Sequence, residues 1–376
     1  MTDELNCTQI TEPFPLPGTD EAGNSTIPWL ITTVVTFYRP IHYYLFVSIV
    51  IFGVFANFMI LLVLSKKEMR SAGVNVTMMC IAFCDFSCSI SAVAQLFLRI
   101  TDTYDSYINA YAQVTVDYLA VAFHASSLYL AVGMAFCRVM SLNLDNKNRD
   151  LWQSPKYALY VALALCAPVF VVASFVLFLH DVKEDEEGIY LDISDFSLEN
   201  NCIFLKVSLI AAGSCFKALP CIMMLFFSLF LLGKIEEGKQ SSVSVVSNRK
   251  DKSEKMDRSS RFIQFILVVF LVTESPQALF SIIGGVFLID YLNYFQNLSI
   301  IMNVLAFINT TTSFIIYSAL SSKFRRLFTQ IFLPRSITDK MYRVSETRSQ
   351  IQKKFIQKWS TVVVQPSTTA NASRTF

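Results

Sequence analysis

The chain has 376 residues, 53% of them hydrophobic and only 16% charged, with 33 Phe and a formal net charge of +2. Soluble domains carry about 25% charged residues. With a mean hydropathy of +0.47, the composition argues against a soluble enzyme, a nucleic-acid binder or a disordered chain, and for an integral membrane protein.

Residues 1–42 open with Asp3 and Glu4 and contain no apolar core, so they do not read as a cleaved signal peptide. Asn6-Cys7-Thr8 and Asn24-Ser25-Thr26 make Asn6 and Asn24 candidate glycosylation sites. Pro13, Pro15, Pro17 and Pro28 predict an extended, flexible tail. Seven apolar runs follow: Leu45–Leu64, Val76–Leu98, Val114–Cys137, Tyr157–Leu179, Val207–Leu232, Phe262–Ile283 and Leu298–Leu320. About 20 residues rising 1.5 Å each cross a hydrocarbon core of roughly 30 Å, so each run can span a bilayer as a helix. The alternating segments of about 10 residues that a membrane β-barrel needs are absent.

Orientation is read from Lys and Arg. The segments 65–75, 138–156, 233–261 and the stretch after Leu320 together hold 26, against Arg39, Arg99, Lys183 and Lys206 on the other side. The positive-inside rule then puts the N-terminus outside and the C-terminus in the cytosol of a multi-pass plasma-membrane protein. Residues 234–260 mix Ser, Lys, Glu and Asp without apolar periodicity and read as disordered. In Ser321–Phe332, Phe324, Leu327, Phe328, Ile331 and Phe332 recur at helical spacing between Lys323, Arg325 and Arg326, predicting an amphipathic helix on the inner membrane face. The fold class expected is therefore an all-α seven-transmembrane helix bundle with a cytosolic amphipathic eighth helix. Its parts are an extracellular glycosylated tail (1–42), a receptor domain (43–332) and a disordered cytosolic tail (333–376).

Motifs within the spans resemble those of rhodopsin-like G-protein-coupled receptors. Asn57 lies in the first span, and Asn75-Val-Thr-Met-Met-Cys-Ile-Ala82-Phe-Cys-Asp85 in the second. Cys137-Arg138-Val139 stands where Asp-Arg-Tyr is usual, and Thr273-Glu274-Ser275-Pro276-Gln277 where Cys-Trp-x-Pro is usual. Ser313-Phe-Ile-Ile-Tyr317 stands in place of Asn-Pro-x-x-Tyr. The departures, including Met69-Arg70-Ser71-Ala72-Gly73-Val74-Asn75 and Lys217-Ala218-Leu219-Pro220, resemble nematode Srw-type serpentine receptors, which are similar to FMRFamide and myosuppressin neuropeptide receptors. The resemblance covers about residues 43–332. It implies heterotrimeric G-protein coupling of the inhibitory type. It also implies an activation role for Arg138, Pro276 and Tyr317, with Arg138 meeting the G protein and Tyr317. Cys137 replaces the usual acidic neighbour of Arg138, and Met256 the usual acidic lock partner, so no ionic lock is expected; outside the family, Arg138 reads as a snorkelling side chain.

Intramembrane ionisable groups are functional candidates by default because they are costly there. Here they are Asp85, Asp117, His124, Lys217 and Glu274. Counting helical rise from the cytosolic ends places Asp85 at ~14 Å, Ser127 and Asn309 at ~16 Å and Ser313 at ~10 Å, one layer of oxygen and amide groups. The resemblance implies an allosteric Na⁺ pocket there; the alternative is a hydrogen-bonded polar core without an ion. The same count puts His124, Lys217 and Glu274 at ~18–22 Å. They are read as a buried network that an entering ligand disturbs, with Asp117 and Gln277 completing the ligand-binding set; a static ion pair is the alternative. No other cofactor and no enzyme activity is expected.

Cys7 and Cys202 are the two Cys on the oxidising side and can pair; geometry leaves that open. Acidic residues on that side number 16 against four basic ones, eight of them within 181–199, which attracts a cationic ligand. The function read from the chain is a receptor for an extracellular FMRFamide-like, cationic amidated peptide. A chemoreceptor for a small environmental molecule is the rival on the same fold. Ser241, Ser242, Ser244 and Ser247, with Ser345, Thr347, Ser349, Thr368 and Thr369 in the tail, are candidate sites for a receptor kinase and for arrestin docking. The lipid bilayer is the remaining partner; no nucleic acid is expected.

Overall fold

A computed structural model describes residue 7 and residues 26–100, 106–143, 150–186, 188–242, 250–293 and 295–333. The chain divides into two units, Met1–Ser322 and Lys323–Phe376. In the first, seven helices are long and apolar enough to cross a membrane. They are built from α1 (Thr26–Leu64), α2 (Gly73–Ile100), α3 (Tyr107–Asn143), α4 (Pro155–Ala173), α5 (Asp195–Ala211) with α6 (Leu219–Ser242), α7 (Lys250–Val286) and α9 (Ser299–Leu320); a short α8 (Leu288–Asn293) joins the last two. α10 (Ser322–Phe332) follows, with the rings of Phe324, Phe328 and Phe332 meeting at successive four-residue steps.

Local sequence explains the boundaries. Ser154 caps α4 by accepting from the Tyr157 N–H, with Pro155 at the first helical position, where a missing N–H costs nothing. Ser194 caps α5 in the same way through the Ser197 N–H. α3 is the central helix, packed on α2, α4 and α6; α1 closes the bundle against α2 and α9, and α7 lies between α9 and the fifth span. Asn57 is fully buried and its Nδ2 donates to Gly53 O and, across to α9, to Thr310 O, both at 3.1 Å.

Besides α6 running to Ser242 and α7 starting at Lys250, which make 234–242 and 250–260 helical where the composition read as disordered, three features depart from the sequence reading. α1 begins at Thr26, well before Leu45, so Pro28 stands in a helical first turn and not in an extended tail. Proline is tolerated in that turn, and the apolar pattern carries the helix on through Pro40. Secondly, β1 (His180–Asp185) and β2 (Gly188–Ile193) form an antiparallel hairpin in the acidic segment, Asp181 facing Asp192 and Lys183 facing Tyr190. Gly188, at φ 128°, supplies the turn.

The third departure is a break in the fifth span. Residues 199–202 leave helical geometry, with Asn200, Asn201 and Cys202 at φ of 50°, 61° and 56°. Asn tolerates that left-handed region; Cys does not, and Cys202 is disulfide-bonded to Cys7 with their Cα atoms 5.5 Å apart. Further along, Ala212–Ala218 winds as a π-helix. Pro220 is the cause: it has no N–H to return, so the Leu219 N–H reaches back five residues to Ser214 O. Cys215 O is then left without a backbone donor, and the Tyr129 hydroxyl of α3 donates to it at 2.6 Å.

Candidate functional site

The π-turn sets the site. It carries Lys217 inward, where the residue is 9% exposed, and its Nζ donates to Glu274 Oε2 at 2.6 Å. Glu274 lies two residues before Pro276 in α7 and is fully buried. His124 Nε2 of α3 is 3.4 Å from both carboxylate oxygens. Asn309 Nδ2 of α9 donates to Oε1 at 3.0 Å. Four spans thus converge on one carboxylate. An isolated carboxylate in so apolar a setting costs several kcal/mol, and a cation with two further polar neighbours offsets that cost.

Above this network lies a cavity of about 470 Å³. Of the ligand-binding residues predicted, His124, Lys217, Asp117 and Gln277 line it. Glu274 does not line it; it sits behind Lys217 and His124. The walls are mainly apolar, with Phe46, Phe175, Phe216 and Phe307 among them. Asp117 accepts from Gln95 Nε2, and Arg99 shares the same lining. Sequence reasoning passed over Gln95 and used Arg99 only as a topology marker. Gln95 lies four residues before Arg99 on α2, one helical turn, and that spacing was the available signal. The Gln277 Oε1 is buried without a hydrogen-bond partner.

The hairpin follows directly on Leu179, another lining residue. Its single cation is engaged: Lys183 Nζ is 2.9 Å from Asp195 and 3.5 Å from Asp192. The hydrogen bond to Asp195 holds its ammonium above the usual lysine range. Tyr107 donates to Glu184, tying the hairpin to the start of α3.

The layer predicted for Na⁺ is only partly assembled. Asp85 is 2% exposed and Ser127 lies close enough to act on its carboxylate. Asn309 instead turns to Glu274, and Ser313, one turn further along α9, makes no hydrogen bond to Asp85 among the described residues. The two layers are only about one turn apart, so helical rise could not separate them. Asp85 Oδ1 and Asn57 Oδ1 are both buried without a partner. Two unpartnered oxygens, one on a carboxylate, fit a hard monovalent cation or a bound proton.

At the far end of the bundle Tyr317 donates to Asn75 Oδ1 at 3.2 Å, and Asn75 Nδ2 donates to Met69 O. Arg138 stands near enough to Tyr317 to interact electrostatically, and it forms no ion pair among the described residues. The side chain of Met256, the candidate glycosylation sites Asn6 and Asn24, and the segment from Pro334 onward lie outside the described residues.

With this geometry in view, comparison with known proteins is direct. The chain is 27% identical over 365 residues to the G-protein coupled receptor dmsr-1 of Caenorhabditis elegans, covering 82% of this chain and 71% of that one. The sequence profile of the family described as "Serpentine type 7TM GPCR chemoreceptor Srw" matches residues 43–335, nearly the whole seven-helix region. The chain is a multi-pass G-protein-coupled receptor, a class that binds an extracellular ligand and is not an enzyme, and it belongs to the Srw serpentine receptor family.

Proposed function

We propose that the receptor answers an extracellular cationic, C-terminally amidated peptide of the FMRFamide-like type. The observation that carries this reading is the Lys217–Glu274–His124–Asn309 network directly beneath a cavity whose approach is an acidic hairpin. A cavity of about 470 Å³ holds the end of a peptide, not its whole length. The end proposed carries an Arg or a terminal amide: the guanidinium competes with Lys217 for Glu274, and the amide N–H₂ donates to the unpartnered Gln277 Oε1. Release of Lys217 frees α7 to pivot at Pro276. Arg138 and Tyr317 complete the change on the G-protein side.

The positive-inside asymmetry, together with a disulfide at the hairpin end, supports an outside N-terminus. Coupling to an inhibitory G protein, glycosylation at Asn6 and Asn24, and arrestin and receptor-kinase action on the 333–376 tail belong to the same reading. Na⁺, where bound, would be held by Asp85 with Ser127 and would neutralise the buried carboxylate in the resting receptor.

The family description favours a second reading. A chemoreceptor for a small apolar molecule would use the aromatic cavity walls and leave Glu274 paired. Cells expressing the receptor, assayed for G-protein activation against amidated Arg-bearing peptides, their free-acid forms and an odorant panel, separate the two. Response to amidated peptides and not to free acids is expected. Response to odorants alone overturns the peptide reading.

A further inference from the structure

The side of the membrane that carries the hairpin holds four basic residues against 16 acidic ones. Lys183 is held by Asp195 and Asp192, Arg99 lines the cavity with Asp117, and Lys206 is buried. Arg39 is different: it is exposed and makes no ion pair or hydrogen bond among the described residues. It lines a second cavity, of about 380 Å³, between α1 and the turn Phe295–Leu298 that leads into α9. The lining is Thr32, Val35, Thr36, Arg39, Pro40 and Asn297. Val35 is buried against Phe295 and joins the two walls. Thr32, Thr36 and Arg39 follow at steps of four and three, so they share one face of α1. Two hydroxyls, a carboxamide and a guanidinium all bring N–H or O–H donors, and no carboxylate lines the groove among the described residues. That donor set fits an anion, and the guanidinium fork matches a carboxylate.

Height decides where such an anion comes from. Lys66 and Lys67 mark where one end of α1 leaves the lipid. Counting about 20 residues back from Leu64 ends the hydrocarbon near Leu45, and a headgroup layer of ~5–7 Å ends four or five residues later, near Pro40. Arg39 stands at that edge and Thr32 about 10 Å beyond it. Most of the groove is therefore in water, above the level of a lipid phosphate. A small dissolved anion is kept away by the acidic surface around it. A carboxylate on a ligand that is already docked by its other end is not: tethering holds it at an effective concentration in the millimolar range.

We propose that this groove is a second subsite for the peptide ligand, and that it takes an acidic side chain upstream of the amidated end. The inference rests on the peptide reading and adds to it a requirement on the ligand's sequence. The fold sets the spacing. Helical rise puts Arg39 ~39 Å from the Lys66 end of α1, and the His124–Lys217–Glu274 layer ~18–22 Å from the same face of the bundle. An extended peptide advances ~3.3 Å per residue, so the ~17–21 Å between them takes five or six residues. One helix face leads the way. Phe46 lines the deep cavity, and Arg39 lies seven residues before it, within about 20° on the same side of α1. The ligand so defined has a cationic amidated end for the cavity and a Glu or Asp five or six residues before it for Arg39. The cationic end answers the acidic surface as a whole; the carboxylate answers its one unpaired cation among the described residues.

The test uses the full-length receptor and amidated, Arg-bearing peptides. Each peptide carries one Glu at a position from two to nine residues before the amidated one, and each has a Gln control. Affinity is read by competition binding on the unsubstituted receptor, on Arg39→Gln and on Arg39→Glu, with receptor number measured alongside. Glu should bind roughly three- to fivefold tighter than Gln at five or six residues before the end, the range of an exposed ion pair, and less so at high salt. The gain should vanish on Arg39→Gln, and Arg39→Glu should prefer Lys at the same peptide position. An equal gain at every position, or one that survives Arg39→Gln, overturns the proposal and leaves the peptide reading standing. If no amidated peptide binds, the peptide reading fails and the subsite with it. Two further arms identify other occupants. A gain that appears only in the Asp20→Asn/Glu21→Gln receptor gives the groove to the chain's own tail. A gain seen in phosphatidylcholine discs and lost in phosphatidylglycerol discs gives it to a lipid headgroup. Either result overturns the proposal.

Discussion

Glu274 is the residue on which most of the site depends, because its two oxygens are approached by Lys217, His124 and Asn309 and by nothing from solvent. Removing one partner of such a pair leaves a buried charge uncompensated, at about 3–5 kcal/mol. Lys217→Met is therefore expected to lower thermal stability by that order, and under the switch reading to raise basal signalling. Glu274→Gln should lose agonist affinity, and the double variant should recover most of the stability but not the affinity. Surface expression, ligand binding and ligand-free signalling, measured on all three, check this. Full recovery of affinity and signalling in the double variant would leave the pair purely architectural. Gln277 offers an independent test. Its Oε1 is already unsatisfied, so Gln277→Leu should leave the ligand-free receptor as stable or about 1 kcal/mol more so. If a ligand N–H donates there, affinity falls by roughly tenfold for each 1.4 kcal/mol of hydrogen bond lost. Unaltered affinity would remove Gln277 from the ligand set.

Among the elements, the π-turn of the fifth span repays attention because it decides where Lys217 points. The turn is held by Tyr129, whose hydroxyl satisfies the carbonyl that Pro220 cannot. Tyr129→Phe should cost about 1–3 kcal/mol, the penalty for stranding an acceptor, and a thermal-shift assay in detergent reads it. The same variant should weaken agonist response if the π-turn positions Lys217, whereas a remote packing role would change stability alone. The two glycines where the fifth span meets α7 show how closely the elements approach: a Cβ at Gly285 would come within 2.6 Å of Lys206 O, and at Gly213 within 2.9 Å of Ala278 O. The acidic hairpin acts at longer range. Neutralising Glu184, Asp185 and Glu186 should slow peptide association and flatten its salt dependence, with dissociation little changed, since rim charges act on encounter. Stopped-flow or surface-plasmon association at two ionic strengths would show it. An unchanged rate at low salt would end the steering argument.

At the scale of the whole molecule, the Cys7–Cys202 bond closes a loop across 195 residues of sequence. Both sulfurs are buried with Leu288, so the bond ties the N-terminal segment to the fifth span beside the short helix that precedes the seventh. Loop-closure entropy makes such a bond worth about 5 kcal/mol. Cys7→Ser, Cys202→Ser and the double variant should lower the melting temperature equally, and reductant should bring the unsubstituted receptor to the same value. Unequal singles would mean that one cysteine has a second role. Of the other cysteines of the bundle, Cys84 and Cys88 are buried in α2. They should be unaffected by a membrane-impermeant thiol reagent.

What the sequence determined by itself is what depends on a fixed length or on composition. A bilayer core has one thickness, so seven apolar runs of 20 residues or more were legible as seven spans before any packing was known. Depth along each span was legible too, because helical rise is constant, and it brought His124, Lys217 and Glu274 to one level. Azimuth was not, because which side of a helix faces which neighbour is settled only when all the helices pack. That is why Asn309 went to Glu274 and not to Asp85, and why Gln95 was overlooked beside Asp117. The hairpin was obscured by its own composition. Alternation in Ile189, Leu191 and Ile193 was present, but the acidic residues around it read as a solvated loop until the two strands could pair. The beginning of α1 at Thr26 was decided by Ile31 and Val35 finding Phe295, a contact across most of the chain. Local propensity does not encode such a partner; only the closed bundle supplies it.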